Sequence, residues 1–308
     1  MPEKSIHPYT VRNYSDKDAD KIAEFNFLSM LAYRYNADYT PENIFCAVDS
    51  DDHLYGVGHL APDETWLVIE ENNKPACFVY KLALDISLNP HFNYTVEVQD
   101  ALFSSLLKRA NELKSHYSDK NICVTITIPS DELEEIDYFL SKGFSVQRNH
   151  LIMKRDLTSE IPDVLPPDNV SIVNWRMETQ TEQEKYLRAE AEGDSEGVSW
   201  SLNRLNWTKT GSEWDTFTAF DGDKVVGSVM TWGLGEARSA TENIFVLPDW
   251  RQQGIAKTLI TEALKFLKDK GKTEATLGVF GENRRALSLY KSLGYEMLAV
   301  NIEFGIDL

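Results

Sequence analysis

The chain has 308 residues, 42% of them hydrophobic and 11% aromatic, with 31 basic against 49 acidic side chains and a formal charge of −18. That composition supports a sizeable core in one or two domains and excludes a disordered chain. The net negative charge divides evenly between residues 1–155 and 156–308, so it is a distributed field that repels nucleic acid and anionic lipid and favours cationic small molecules.

No apolar run reaches 18 residues and no basic-then-apolar leader opens the sequence, so neither a membrane span nor a signal peptide is expected. Cys46, Cys77 and Cys123 lie in apolar, strand-like runs without a CxxC spacing. An odd number of thiols without a secretory signal points to reduced cysteines and a cytoplasmic location. All six histidines fall within residues 7–150, none at metal-ligand spacing. No metal site is expected, and no histidine base in the C-terminal half.

In chain order, a short strand at 9–14 precedes a polar helical stretch. Strands at 44–48 and 54–60 flank a turn, a further strand covers 76–84, and a helix spans 97–115. A strand at 121–128 and a helix ending in Lys142-Gly143-Phe144 complete the first half. Residues 157–169 carry three prolines among acidic residues and read as a linker. The second half repeats the order. A strand at 170–175 and a helical stretch lead to a hairpin around Asp221-Gly222, then a helix at 256–269, a strand at 273–280 and a helix ending in Leu293-Gly294-Tyr295. The pattern is an internal duplication, with domains at 1–156 and 170–308. Each is expected to be an α/β domain with a twisted mixed sheet flanked by helices.

The chemistry concentrates in the second copy. Residues 244–256 read Ile-Phe-Val-Leu-Pro-Asp-Trp-Arg-Gln-Gln-Gly-Ile-Ala. This is a strand stopped by Pro248, then a turn that feeds backbone N–H groups into a helix start. Orphan donors and a partial positive charge make such a helix end an anion site. Gly254 admits an anion to the main chain, and Ala256 keeps the first turn small. Downstream stand Asn283, Ala286, Tyr290, Gly294 and Tyr295. Asn283 and Tyr290 are seven apart and share one helix face. Glu242 and Val246 are four apart and share one strand face.

Together these residues resemble the GNAT superfamily of acetyl-coenzyme A-dependent N-acetyltransferases, over roughly residues 215–303. The resemblance implies acetyl-coenzyme A as co-substrate. Its pyrophosphate would lie on Arg251, Gln252, Gln253, Gly254, Ile255, Ala256 and Lys257. Its pantetheine arm and thioester would run along the main chain of Phe245 and Val246, with Asn283 and Ala286 beside it. Tyr290 would protonate the leaving thiolate, and Glu242 would receive the proton of the amine or bind its cation. The first copy lacks Arg-x-x-Gly-x-Ala, and aligning Gly143 with Gly294 puts Phe139 at the Tyr290 position and Glu132 at the Asn283 position. It resembles a GNAT domain that has lost its coenzyme site.

The function implied is transfer of an acetyl group to the primary amine of a small, cationic metabolite by direct attack in a ternary complex. The tandem arrangement is also similar to mycothiol synthase, and a coenzyme A-binding sensor without turnover is the non-enzymatic alternative. The partner expected is a small-molecule amine, with neither nucleic acid nor membrane, for a monomer or homodimer. The resemblance implies that the segment bearing Glu190, Glu192, Asp194 and Glu196 walls the acceptor pocket, the alternative being a solvated acidic loop. Trp200, Trp207 and Trp214 recur every seven residues, which predicts an apolar helical stripe.

Overall fold

The computed structural model describes residues 8–92, 96–233 and 236–308. The described residues form two compact units, one within residues 8–126 together with 305–308, the other within residues 127–304. None of the described helices is long and apolar enough to cross a membrane.

The first unit is built on strands β1 (Tyr9–Asn13), β2 (Ile44–Asp49), β3 (Leu54–Pro62), β4 (Val79–Leu88) and β5 (Asn121–Pro129). They lie in chain order, antiparallel except for the parallel pair β4 and β5. A parallel pair needs a long crossover, which helix α3 (Val96–His116) supplies. Helices α1 (Ala19–Ala23) and α2 (Phe27–Tyr35) pack on Ile44, Cys46, Val48 and Val57 through Ile22, Met30 and Tyr33. α3 comes so close to β3 that a Cβ on Gly58 would stand 2.8 Å from Leu106 and 3.0 Å from the Asp85 carbonyl. At that position a side chain is excluded by packing.

The second unit begins with α4 (Leu133–Ser141) and β6 (Ser145–Asp156). It continues through β7 (Ser171–Asn174), α5 (Gln180–Gly193), α6 (Leu202–Thr208), β8 (Asp215–Asp221), β9 (Lys224–Gly233) and β10 (Arg238–Val246). Helix α7 (Ile255–Asp269), β11 (Glu274–Phe280), α8 (Arg284–Ser292) and β12 (Tyr295–Asp307) complete it. The strands lie in the order β12-β6-β11-β10-β9-β8-β7. α7 buries Leu259, Ile260, Ala263, Leu264 and Leu267, a stripe at helical spacing, against sheet residues that include Val226, Val229, Ala275 and Leu277. Tyr186, Ala189 and Leu205 of α5 and α6 form a second cluster with Met230 and Phe245.

The mixed α/β architecture and the repeated element order agree with the sequence reading. α4 and α8 are both nine residues long, with Glu132 and Asn283 as N-caps, and both are followed by a left-handed glycine, Gly143 at φ 89° and Gly294 at φ 82°. Two features were not legible. β6, the last strand of the first repeat, pairs antiparallel with β11 from His150↔Phe280 to Asp156↔Glu274, and so belongs to the second unit. Residues 157–169 form no helix or strand, yet they are tied down. Leu157 is buried, Asp163 pairs with Lys265 at 2.6 Å, and Arg155 Nη2 reaches the Glu160 carbonyl at 2.5 Å. We propose this stretch as the boundary between sequence repeats, although it folds onto the second unit. Cys46 and Cys123 are buried in strands, whereas Cys77 is exposed and precedes β4.

Candidate functional site

The site begins where two parallel strands part. β10 pairs with β11 over only three residues, Arg238 to Ala240 against Glu274 to Thr276. Beyond that point Thr241 substitutes a side chain for the ladder, its Oγ1 reaching the Thr276 carbonyl at 3.4 Å. Along its other edge β10 stays on β9, but a bulge intervenes between Glu242 and Phe245, with Asn243 at φ 49°. A bulge bends the strand and re-aims its groups. Leu247 N–H donates to the Val226 carbonyl. Antiparallel alternation then commits the Phe245 main chain to Ser228 and turns the Val246 N–H and carbonyl toward the opened edge. Of the two strand residues expected to present main-chain groups, Val246 is therefore the one so aimed. Phe245 contributes its ring, which lies 5.6 Å from Tyr186 and 3.2 Å from where a Cβ on Gly193 would stand.

The turn after β10 forms the second wall. Gln252 at φ 63° and Gly254 at φ 86° are both left-handed, and Gly254 caps α7 without any side-chain hydrogen bond. The first intrahelical bond is Thr258 N–H to the Gly254 carbonyl, which leaves the amides of Ile255, Ala256 and Lys257 as the orphan donors of the first turn. Left-handed residues in such a turn gather successive N–H groups into an anion-binding concavity. A Cβ on Gly254 would meet nothing within 4 Å, so the space before the helix end is open. Arg251 is committed elsewhere. Its Nε donates to the Val246 carbonyl at 2.9 Å and its Nη2 to the Gly193 carbonyl at 2.6 Å. It braces the turn against the end of α5, while Lys257 stands in the first turn of α7 and Arg284 and Arg285 in the first turn of α8. Gln253 Nε2 donates to the Asp249 carbonyl at 3.1 Å.

Helix α8 supplies the third wall. Asn283 Oδ1 accepts from Ala286 N–H at 3.1 Å, an N-cap bond, and the exposed Asn283 leaves its amide nitrogen available. Tyr290 is buried, and its hydroxyl has no hydrogen-bond partner among the described residues. Burial pushes its pKa up to about 12. Its ring lies 5.9 Å from that of Tyr295, whose hydroxyl is 3.0 Å from Thr241 Oγ1. Tyr290 is thus joined through Tyr295 to the residue that precedes Glu242.

Glu242 is half-buried beside the bulge. Burial raises its pKa, and the Arg204 cation and the Trp232 indole pull it back down. Trp232 Nε1 is itself buried with no well-formed hydrogen bond. Sequence reading missed Arg204 and Trp232, because only the fold brings α6 and the end of β9 to this carboxylate. The expected acidic wall is mostly consumed by structure. Glu190 Oε1 accepts from Trp200 N–H at 3.3 Å, Glu192 pairs with Lys224 at 2.7 Å, and Asp194 Oδ1 accepts from the N–H groups of Glu196 and Val198. The tryptophan heptad is not one helix. α6 has seven residues and holds only Trp207, while Trp200 precedes it and Trp214 stands before β8. Trp207 meets Trp232 edge-on at 5.7 Å, and Arg204 stacks over Trp200 at 4.2 Å.

The candidate ligand atoms of Asp49, Asp51 and His53 lie within 4.8 Å of one another. However, Asp49 already accepts from the backbone of Asp51 and His53, from Tyr55 Oη at 2.8 Å and from the His53 ring at 3.0 Å. Those bonds are those of a hairpin turn.

Residues 171–295 match the acetyltransferase (GNAT) family. Among curated proteins, the chain is 31% identical over 133 residues to a mycothiol acetyltransferase of Thermobifida fusca, covering 41% of this chain and 35% of that relative's length. The match thus spans about a third of the relative. Among solved structures, it resembles a tandem GNAT protein from the clavulanic acid biosynthesis pathway, with a TM-score of 0.65, 13% identity and coverage of 97% and 98% of the two chains. A GCN5-related N-acetyltransferase from Sphaerobacter thermophilus gives a TM-score of 0.64 at 15% identity, covering 97% and 95%. At such identities the structural likeness establishes the fold, and it extends over nearly the whole chain.

Proposed function

We propose that this protein transfers the acetyl group of acetyl-coenzyme A to the primary amine of a small, cationic metabolite, a reading that starts from the match of residues 171–295 to the acetyltransferase (GNAT) family. The observation that carries the reading is the parting of β10 from β11 after three paired residues, with an uncapped helix end on one side and a desolvated carboxylate on the other. These features fit the carrier. An anionic pyrophosphate suits the α7 amides and Lys257, an extended amide-bearing arm suits the open edge at Val246, and Asn283 stands on the facing helix.

The thioester supplies an activated carbonyl carbon. The amine lone pair attacks that carbon, a C–N bond forms, and the C–S bond breaks to release the thiolate. Val246 N–H meets the carbonyl oxygen as it gathers negative charge. Tyr290 Oη donates to the departing sulfur. Glu242 holds the ammonium and passes its proton outward. An ordinary carboxylate near pKa 4.3 is a poor base for an amine near 10, and burial narrows that gap in the required direction.

Two measurements test the acceptor. Free-thiol release over a panel of amines should select cationic acceptors, with a Michaelis constant that rises with salt as their attraction to the acidic surface is screened. Glu242→Gln should slow turnover most at pH values above the Glu242 pKa and well below that of the amine. The variant should recover as the pH approaches about 10, where the free amine no longer needs a base. Reaction confined to anionic acceptors, or a Glu242→Gln deficit independent of pH, would overturn these roles.

A second reading rests on the Thermobifida fusca similarity, that the acceptor is of the kind a mycothiol acetyltransferase uses. The amine panel separates the two when that acceptor is included.

A further inference from the structure

The first unit contains a polar cluster that acetyl transfer does not use. β4 runs on past the expected end of its strand through Asp85, Ile86, Ser87 and Leu88. Buried Tyr80, Leu82, Leu84 and Ile86 alternate with half-exposed Lys81, Ala83, Asp85 and Ser87. Asp85 lies directly opposite His59 of β3, so the two side chains share one face, on which Asp85 is half-exposed and His59 buried. His59 Nδ1 is 2.9 Å from Tyr33 Oη on α2, and its ring meets Tyr33 edge-on at 5.5 Å and Tyr39 at 4.9 Å. Ser87 Oγ donates to Asp85 Oδ2 at 3.2 Å and accepts from Asn26 Nδ2 at 2.7 Å. Among the described residues no cation pairs with Asp85.

The position of this acid has a counterpart. In the second unit Val246, Phe245 and Glu242 pair with Gly227, Ser228 and Met230. In the first, Leu88, Ser87 and Asp85 pair with Gly56, Val57 and His59. The two ladders correspond residue by residue once the single bulge residue of β10 is set aside, and Asp85 falls where Glu242 stands. The first unit has no such bulge in the β3–β4 register, and Arg-x-x-Gly-x-Ala does not follow its β4. The carboxylate has been kept and the carrier-binding features have not.

We propose that the first unit binds a small organic ammonium ion, without turning it over, between Asp85 and the rings of His59, Tyr33 and Tyr39. The carboxylate gives the counter-charge, and the rings give an electron-rich, apolar surround of the sort that holds ammonium ligands. Burial lowers the pKa of His59, opposed by Asp85, so the imidazole is neutral near pH 7 and does not repel a cation. His59 and Tyr33 are buried, so the ion approaches from the side on which Asp85, Ser87 and Tyr39 are half-exposed.

The test uses the full chain and long-range proton–nitrogen spectra of the imidazoles, with His59→Gln identifying the His59 signals among the six histidines. Choline, putrescine and the neutral carbon isostere of choline are titrated in turn. The His59 signals should shift saturably with choline or putrescine and not with the neutral isostere. Asp85→Asn should weaken the response roughly tenfold or more, as expected for losing a partly desolvated charge partner. Glu242→Gln should leave it unchanged, which separates this slot from the acceptor pocket of the second unit. Should Asp85→Asn fail to melt cooperatively, Tyr39→Leu replaces it with the same expected loss. Absence of a saturable shift, an equal shift with the neutral isostere, or a response indifferent to the substitution overturns the proposal.

Discussion

Gly254→Glu is expected to abolish acetyl-coenzyme A binding while leaving the protein folded. Gly254 sits at φ 86° with no atom within 4 Å of where its Cβ would stand. The substitution therefore clashes with nothing in the protein, and its folding cost is the left-handed backbone, about 1–2 kcal/mol. A domain of this size tolerates that loss. The new carboxylate, however, enters the space in front of the α7 amides and competes for them with any anionic ligand. Helix-end attraction is worth up to about 2 kcal/mol in favourable geometry, and a like charge adds repulsion of similar size, so affinity should fall at least roughly a hundredfold. Gly254→Ala carries the same backbone cost without the charge and should bind within a few-fold of wild type. Calorimetric titration reads both variants, and should count one carrier site per wild-type chain. Wild-type affinity in Gly254→Glu would remove the pyrophosphate from this turn. Two equivalent sites would refute the loss of the carrier site from the first unit.

The parts of this molecule that were readable in the sequence are those fixed by neighbours in the chain. The hairpin at Asp221-Gly222, the stripe of α7 and the matching glycines Gly143 and Gly294 each follow from local periodicity or from a backbone angle that glycine favours. The missed features depend on partners far along the chain. Nothing local to β6 says that it pairs with β11, more than a hundred residues later. Nothing local to Arg251 says that its guanidinium is taken by the carbonyls of Val246 and Gly193. A charge beside a candidate phosphate site reads as a ligand until the fold shows what it already holds. The tryptophan spacing misled because a period of seven also arises when rings from separate segments converge on one core, as Trp200 and Trp214 do beside Tyr186. The same dependence on long-range pairing hid Asp85, which matters through the His59 opposite it.

Tyr290→Phe is expected to lower kcat roughly ten- to a hundredfold and to leave the affinity for acetyl-coenzyme A nearly unchanged. The magnitude follows from the environment of the phenol. Burial holds its pKa up to about 12, against an ordinary thiol near 8.5. Complete proton transfer to the thiolate would run uphill by roughly 5 kcal/mol. In the proposed mechanism Tyr290 therefore acts by donating a hydrogen bond to the sulfur as charge builds, and the product thiol takes its proton from solvent or from the displaced amine proton. A hydrogen bond to a charged group contributes about 1.5–3 kcal/mol, which converts to the stated range. Phenylalanine keeps the ring contact with Tyr295, so the link through Thr241 to β10 should survive. The pH profile carries the sharper test. A phenol that stays protonated to about 12 gives wild-type kcat no descending limb attributable to Tyr290 below about pH 10. A limb near pH 9 that vanishes in Tyr290→Phe would show a titrating general acid instead. An unchanged kcat would make Tyr290 a packing residue and leave the thiolate to water.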